Sequence, residues 1–348
     1  MEYRALSRCR GELMGAAMLW VMLFHSFDLD LGLPLLNALR GAGFGGVDIF
    51  IFLSSMGLAM SLIRRRQEYG AFLRRRAGRI LPAYYLVMVP YTLCLILWQG
   101  APWSDLFWNG TLLYYWVHRC PAAFNWYICG AMFFYVLTPP VLAWLRRQQE
   151  KGRLIPAVAA GVAGGLALCQ LLVQEWYGEY LDVFYRIPVF FLGLLVGIFV
   201  MEERRLGWKD LLFWLTWTGL GVGYYLLSTW PGKGELTWLN LPLAHLFVFT
   251  TVPMCLALAL ALERLPLGWL RRFLRLVGEN SLEIYLLNVT LFAQTELLRG
   301  LFSFAPGSRL FYLISYAANI ALGIALHRGV EGLRRAWQRR RPAQEAAG

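Results

Sequence analysis

Ten apolar runs follow one another along the chain, and this succession constrains the fold more than any other feature of the sequence. They fall near 12–30, 44–63, 80–98, 123–145, 154–174, 186–201, 210–228, 241–262, 279–298 and 309–327. Most reach about 18 residues, enough for a helix rising about 1.5 Å per residue to cross roughly 30 Å of hydrocarbon. Within lipid every backbone N–H and C=O must find its partner inside the segment, which excludes open sheets. The composition agrees, with 58% hydrophobic and only 16% charged residues, against roughly 25% charged in an ordinary soluble domain. The expected fold is all-α, a polytopic membrane helix bundle of about ten transmembrane helices. No Pro/Ser-rich linker, low-complexity run or internal repeat divides it, so residues 1–348 read as a single membrane domain.

Charge sets the expected orientation. With both termini cytoplasmic, 27 of the 33 Lys and Arg fall in cytoplasmic segments, as the positive-inside rule demands. The stretch from Ser104 to Val117 is also apolar, but counting it as a span would put Arg146, Arg147, Lys151 and Arg153 outside. It is therefore expected as an external interfacial or re-entrant segment, with Trp103, Trp108 and Trp116 suited to the membrane boundary. Glu175, Glu179 and Asp182 then fall outside. The net charge of +12 gathers in short clusters between spans rather than on one face, which speaks for an anionic lipid bilayer as partner and against nucleic acid. A basic flank (Arg4, Arg8, Arg10) before Leu13–Phe24 imitates a secretory signal, yet His25-Ser26-Phe27-Asp28 follows instead of a small-residue cleavage site, so an uncleaved first helix is expected. The six cysteines show no metal spacing or disulfide framework, and only Cys120 and Cys129 are placed to approach each other.

Ionisable residues inside spans cost about 2.5–3.5 kcal/mol each on insertion scales, so each needs a use or a partner. His25, in Leu23-Phe24-His25-Ser26-Phe27-Asp28, belongs in the outer half of the first span. Asp28 follows at i+3, on the same face if the helix continues, where it would hold one ring nitrogen. An imidazole oriented in this way suits a general base, whereas a lone His more often makes a structural hydrogen bond. Asp48 opens the second span in Gly45-Gly46-Val47-Asp48, near the depth of His25, either as a helix-start charge or as a site residue.

Arg76-Ala77-Gly78-Arg79 sets two guanidinium groups at i and i+3 where the third span enters the membrane. Forks so placed suit bidentate contact with phosphate, and equally serve as a topology signal. Glu283, Tyr285 and Asn288 fall within the ninth span, for interhelical hydrogen bonds or for substrate. Arg186 opens the sixth span, where it either snorkels or binds an acceptor. No metal-ligand cluster is present, so no metal is expected.

At these residues the chain resembles acyltransferase family 3, over nearly its whole length. Trp20 to His25 is similar to that family's first helix, and Gly46-Val47-Asp48-Ile49-Phe50-Ile51-Phe52-Leu53-Ser54 to its second-helix motif. Arg76 through Pro82 matches its Arg-x-x-Arg signature, and Trp126 with Phe134, Tyr135 and Pro139 resembles its fourth helix. Arg186-Ile187-Pro188 through Gly193 and Gly197 is similar to its sixth, and Ser281 to Leu287 to a late Ser-Tyr-x-x-Tyr-Leu stretch. Met14 stands where members carry an Arg, whose role is then absent or passes to Arg10, and Ala131, Asn288 and Ser55 replace a usual Glu, His and Gly.

The resemblance implies a multi-pass cell-membrane enzyme, of bacterial cytoplasmic membrane type. Such an enzyme moves an acyl group, often acetyl, from cytoplasmic acyl-CoA to a hydroxyl of a cell-envelope glycan or lipid-linked saccharide. Arg76 and Arg79 would hold the CoA phosphates, and His25, oriented by Asp28 or Asp48, would deprotonate the acceptor. Arg186, Glu283, Tyr285, Asn288 and Trp126 would contact substrate. Direct transfer and a covalent acyl-His or acyl-Ser course both remain open, and a transporter or flippase of a lipid-linked saccharide is the alternative function. The acyltransferase expectation places His25 and the arginine pair at opposite ends of one tunnel.

Overall fold

The computed structural model describes residues 2–65, 67–118, 124–174, 181–229, 242–292 and 307–345. Among these there is no β-strand, only an isolated bridge between Glu2 and Arg205. Eleven helices carry the architecture: α1 (Arg10–Phe24), α2 (Gly46–Arg64), α3 (Tyr69–Gln99), α4 (Trp126–Glu150), α5 (Leu154–Gln174), α6 (Ile187–Met201), α7 (Trp208–Thr229), α8 (Leu246–Arg264), α9 (Gly268–Glu279), α10 (Ser281–Leu287) and α11 (Arg309–Glu345).

Among the described residues eight helical stretches are long and apolar enough to cross a membrane, matching eight of the ten expected spans. The two that fall short are the first and the ninth. α1 has 15 residues, and α10 runs into a π-helical turn at Asn288–Phe292. These two carry His25 and the Glu283–Asn288 group. The outer end of the ninth span lies outside the described residues, as do Cys120, Glu175 and Glu179. The Ser104–Val117 stretch forms two short helices, Ser104–Gly110 and Tyr114–His118, too short to span. It folds back on α3, where the Tyr84 and Tyr85 hydroxyls donate to the carbonyls of Asn109 (2.8 Å) and Gly110 (2.9 Å).

Small residues let the central helices meet backbone to backbone. A Cβ on Gly278 of α9 would lie 1.9 Å from the Gly11 carbonyl oxygen of α1, and one on Gly15 would lie 1.9 Å from that of Leu274. On α6, Gly193 and Gly197 sit against the Phe52 and Met56 carbonyls of α2 in the same way. Helices α2 and α6 are buried nearly throughout, whereas α7 shows Leu211, Leu212, Leu215 and Leu226 at its surface, the apolar coat expected against lipid.

Prolines within the helices create further ties. Pro82 has no N–H to give the Gly78 carbonyl four residues back, and Arg334 of α11 donates to that oxygen at 2.7 Å. Pro140 likewise frees the Val136 carbonyl, which the Tyr69 hydroxyl reaches at 3.0 Å. Both ties pin α3, the helix that bears Arg76 and Arg79.

Candidate active site

A cavity of about 360 Å³ opens at the arginine-bearing end of the bundle. It continues into a vestibule of about 1140 Å³, the two sharing Arg10, Met14, Arg76, Arg79 and Glu279 on their walls. Arg64, Arg65 and Arg75 add to the vestibule, against Glu68 and Glu279 as its acidic side chains. A strongly positive mouth of this kind attracts phosphorylated anions.

Arg10 enters from α1, its Nε donating to the Leu53 carbonyl at 3.2 Å, and it faces the cavity one turn nearer the mouth than Met14. Arg76 lies over the Phe72 ring, 5.4 Å from guanidinium carbon to centroid. Arg79 follows on the same face of α3, so the arginine pair lines one cavity as the spacing predicts.

On the same cavity α10 and α11 supply a pair that sequence reasoning missed in part. Glu283 and His327 both line the cavity, the imidazole Nδ1 lying 3.0 Å from Glu283 Oε1. Glu283 was a candidate, whereas His327 counted only as the inner end of the last span. A signal existed, since Gly323, His327 and Arg334 fall at helical spacing on one face of α11. Tyr285 closes the depth of the cavity, its ring 5.0 Å from that of Tyr127 on α4. The Tyr285 hydroxyl is buried without a hydrogen-bond partner.

His25 stands at the opposite end of α1 from Arg10. It caps the end of α1, and its Nδ1 lies 2.9 Å from the Val21 carbonyl oxygen. A carbonyl only accepts, so Nδ1 carries the proton and Nε2 is the basic nitrogen. The Asn288 side chain lies beside the ring. Ser26, the next residue, shares a 2.5 Å hydrogen bond with Tyr316 of α11.

Two expectations change here. The i+3 argument for Asp28 assumed a continuing helix, but α1 stops at Phe24 and Asp28 lies exposed in the turn beyond. The group on Nδ1 is backbone instead. His25 is also absent from the lining of the cavity that holds Arg76 and Arg79, so that cavity by itself is not the expected single tunnel.

Asp48 belongs to another cluster. Its Oδ2 lies 3.7 Å from Arg186 Nε, with both side chains at most 5% exposed. Arg186 also donates to the Asp182 carbonyl at 2.6 Å and stands over the Trp126 ring at 5.2 Å. Three candidates thus meet each other rather than His25, although Val47 and Tyr127, their chain neighbours, line the cavity. Among the described residues no group of three His, Cys, Asp or Glu is placed to hold a metal ion.

A helical bundle with apolar spans, a basic-mouthed internal cavity and a half-buried imidazole defines a membrane-embedded protein. The chain belongs to the acyltransferase domain family, which matches residues 15–328, nearly the whole length. It is a multi-pass membrane acyltransferase. No curated protein matches it, and no solved structure does.

Proposed function

We propose that the protein transfers an acyl group, acetyl in the reading favoured here, from cytoplasmic acyl-CoA to a hydroxyl of a cell-envelope glycan or lipid-linked saccharide. The single observation that carries this reading is the placement of Arg10, Arg76 and Arg79 on one cavity, with His25 at the opposite end of α1 from Arg10. Phosphates of the coenzyme bind the guanidinium forks at the mouth, the positive-inside rule making that mouth cytoplasmic. The pantetheine arm runs inward past Tyr127 and Tyr285, whose rings swing apart to let the thioester reach His25. The acceptor hydroxyl binds at Nε2, gives up its proton there and attacks the carbonyl. The unpartnered Tyr285 hydroxyl is placed to donate to the developing oxyanion.

The test uses the full chain in lipid nanodiscs, supplied with acetyl-CoA and envelope glycan. The expected result is free CoA thiol and acetylated sugar in equal amounts. His25→Ala should abolish transfer while still binding CoA. Saccharide uptake into proteoliposomes without CoA, or full transfer by His25→Ala, overturns the reading.

A further inference from the structure

The pair formed by Glu283 and His327 has no role in the steps above. We propose that His327, held by Glu283, is the general acid that protonates the coenzyme sulfur as the carbon–sulfur bond breaks. The inference rests on the acyl-CoA reading of the same cavity.

Acyl transfer needs two proton movements. His25 Nε2 takes the proton of the acceptor hydroxyl while the new carbon–oxygen bond forms. The electron pair of the breaking bond stays on sulfur, and the thiolate needs a proton from the opposite side of the carbonyl. With Nδ1 turned to Glu283, Nε2 is the ring nitrogen that His327 has left for the cavity. An Nε2–H there gives its proton to sulfur, and the products are the acyl ester and free CoA thiol. The open vestibule then exchanges protons with water, returning both rings to their starting states.

Placement supports this division of labour. Glu283 and Asn288, the respective neighbours of the two imidazoles, are five residues apart on one helix, about 7.5 Å at about 1.5 Å per residue. One stretch of chain thus carries a neighbour of each imidazole. Tyr285, unpartnered, lies between them. A purely structural bridge between α10 and α11 would be sealed on both sides. Here the carboxylate is sealed at 5% side-chain exposure, while the imidazole is 35% exposed and faces the cavity. That is the arrangement of a positioning residue behind a catalytic one.

A selenoester tests the step, because a selenolate leaves without needing a proton. Wild type, His327→Gln and Glu283→Gln are compared in nanodiscs with acetyl-CoA and its selenium analogue, with CoA affinity as the check on folding. His327→Gln should lower kcat with acetyl-CoA by about 100-fold, keep KM within about twofold, and lose far less with the selenoester. Glu283→Gln should shift both donors in the same sense by a smaller factor, since it acts through the ring. Equal losses with both donors, or a raised KM at constant kcat, overturn the proposal while leaving the acyl-CoA reading intact. If either variant fails to bind CoA, the other decides by the same ratio. Absence of transfer by wild type with either donor removes both.

Discussion

Arg334 donates to the Gly78 carbonyl at 2.7 Å, replacing the helical N–H that Pro82 lacks. A proline in the third span and an arginine of the last helix thereby hold the Arg76–Arg79 turn against α11. Arg334→Leu should lower stability by about 1.5 kcal/mol, the usual worth of a hydrogen bond from a charged donor. In a Pro82→Ala background the carbonyl regains its helical partner, and the same change should cost less. A double-mutant cycle on unfolding in detergent measures the difference. Simple additivity would mean that the two residues are not coupled.

Where α1 crosses α9, neither helix has room for a methyl group. Gly278→Ala would set a Cβ 1.9 Å from the Gly11 carbonyl, so backbone must move. The expected loss is about 3 kcal/mol or more, the upper range for overpacking. Gly219→Ala on α7, where nothing lies within 4 Å, is the control and should be neutral. Thermal unfolding of the two variants in one detergent decides it.

Asp48 and Arg186 form a buried pair with side chains only 2% and 5% exposed. Asp48→Ala leaves a guanidinium sealed away from water, and should destabilise by about 3–5 kcal/mol. Glu12, also fully buried, makes the informative contrast. It accepts from Arg275 at 2.7 Å and Arg271 at 3.4 Å, but those side chains are 52% and 33% exposed. Glu12→Ala frees them into solvent and should cost clearly less than Asp48→Ala. Equal losses would contradict this account of the two sites.

CoA affinity checks the role of the mouth. Arg76→Gln and Arg79→Gln should each weaken binding about tenfold or more, since a charge-assisted hydrogen bond contributes about 1.5–3 kcal/mol. Arg10→Gln should do the same if the guanidinium of α1 has taken the position left by Met14. Calorimetry with CoA in nanodiscs gives the constants, and unchanged affinity in all three would remove the phosphate site.

Much of this was legible from composition and spacing, but unevenly. Eight spans stood out because lipid leaves a helix no choice but a long apolar run. The first differs, as a helix of 15 residues inside the bundle answers to its neighbours rather than to bilayer thickness. The Arg76–Arg79 pair was readable because i and i+3 share a face wherever the helix goes. Asp28 misled for the same reason, since its i+3 relation to His25 held only if α1 continued past Phe24. His327 escaped because a histidine at the end of a span looks like a boundary until the facing helix is known.

By itself the sequence determined the all-helical bundle, its membrane character and the faces on which its polar residues stand, because backbone satisfaction in lipid and helical periodicity are local constraints. Which face meets which was decided only in the tertiary structure. Spacing gives a side chain its depth and direction but not its neighbour on another helix, so Asp48 turned out to face Arg186, Glu283 to face His327, and Arg334 to meet the Gly78 carbonyl. The first two lie where glycines let α6 touch α2 and α11 touch α10, and the third where Pro82 leaves a carbonyl open to a distant donor.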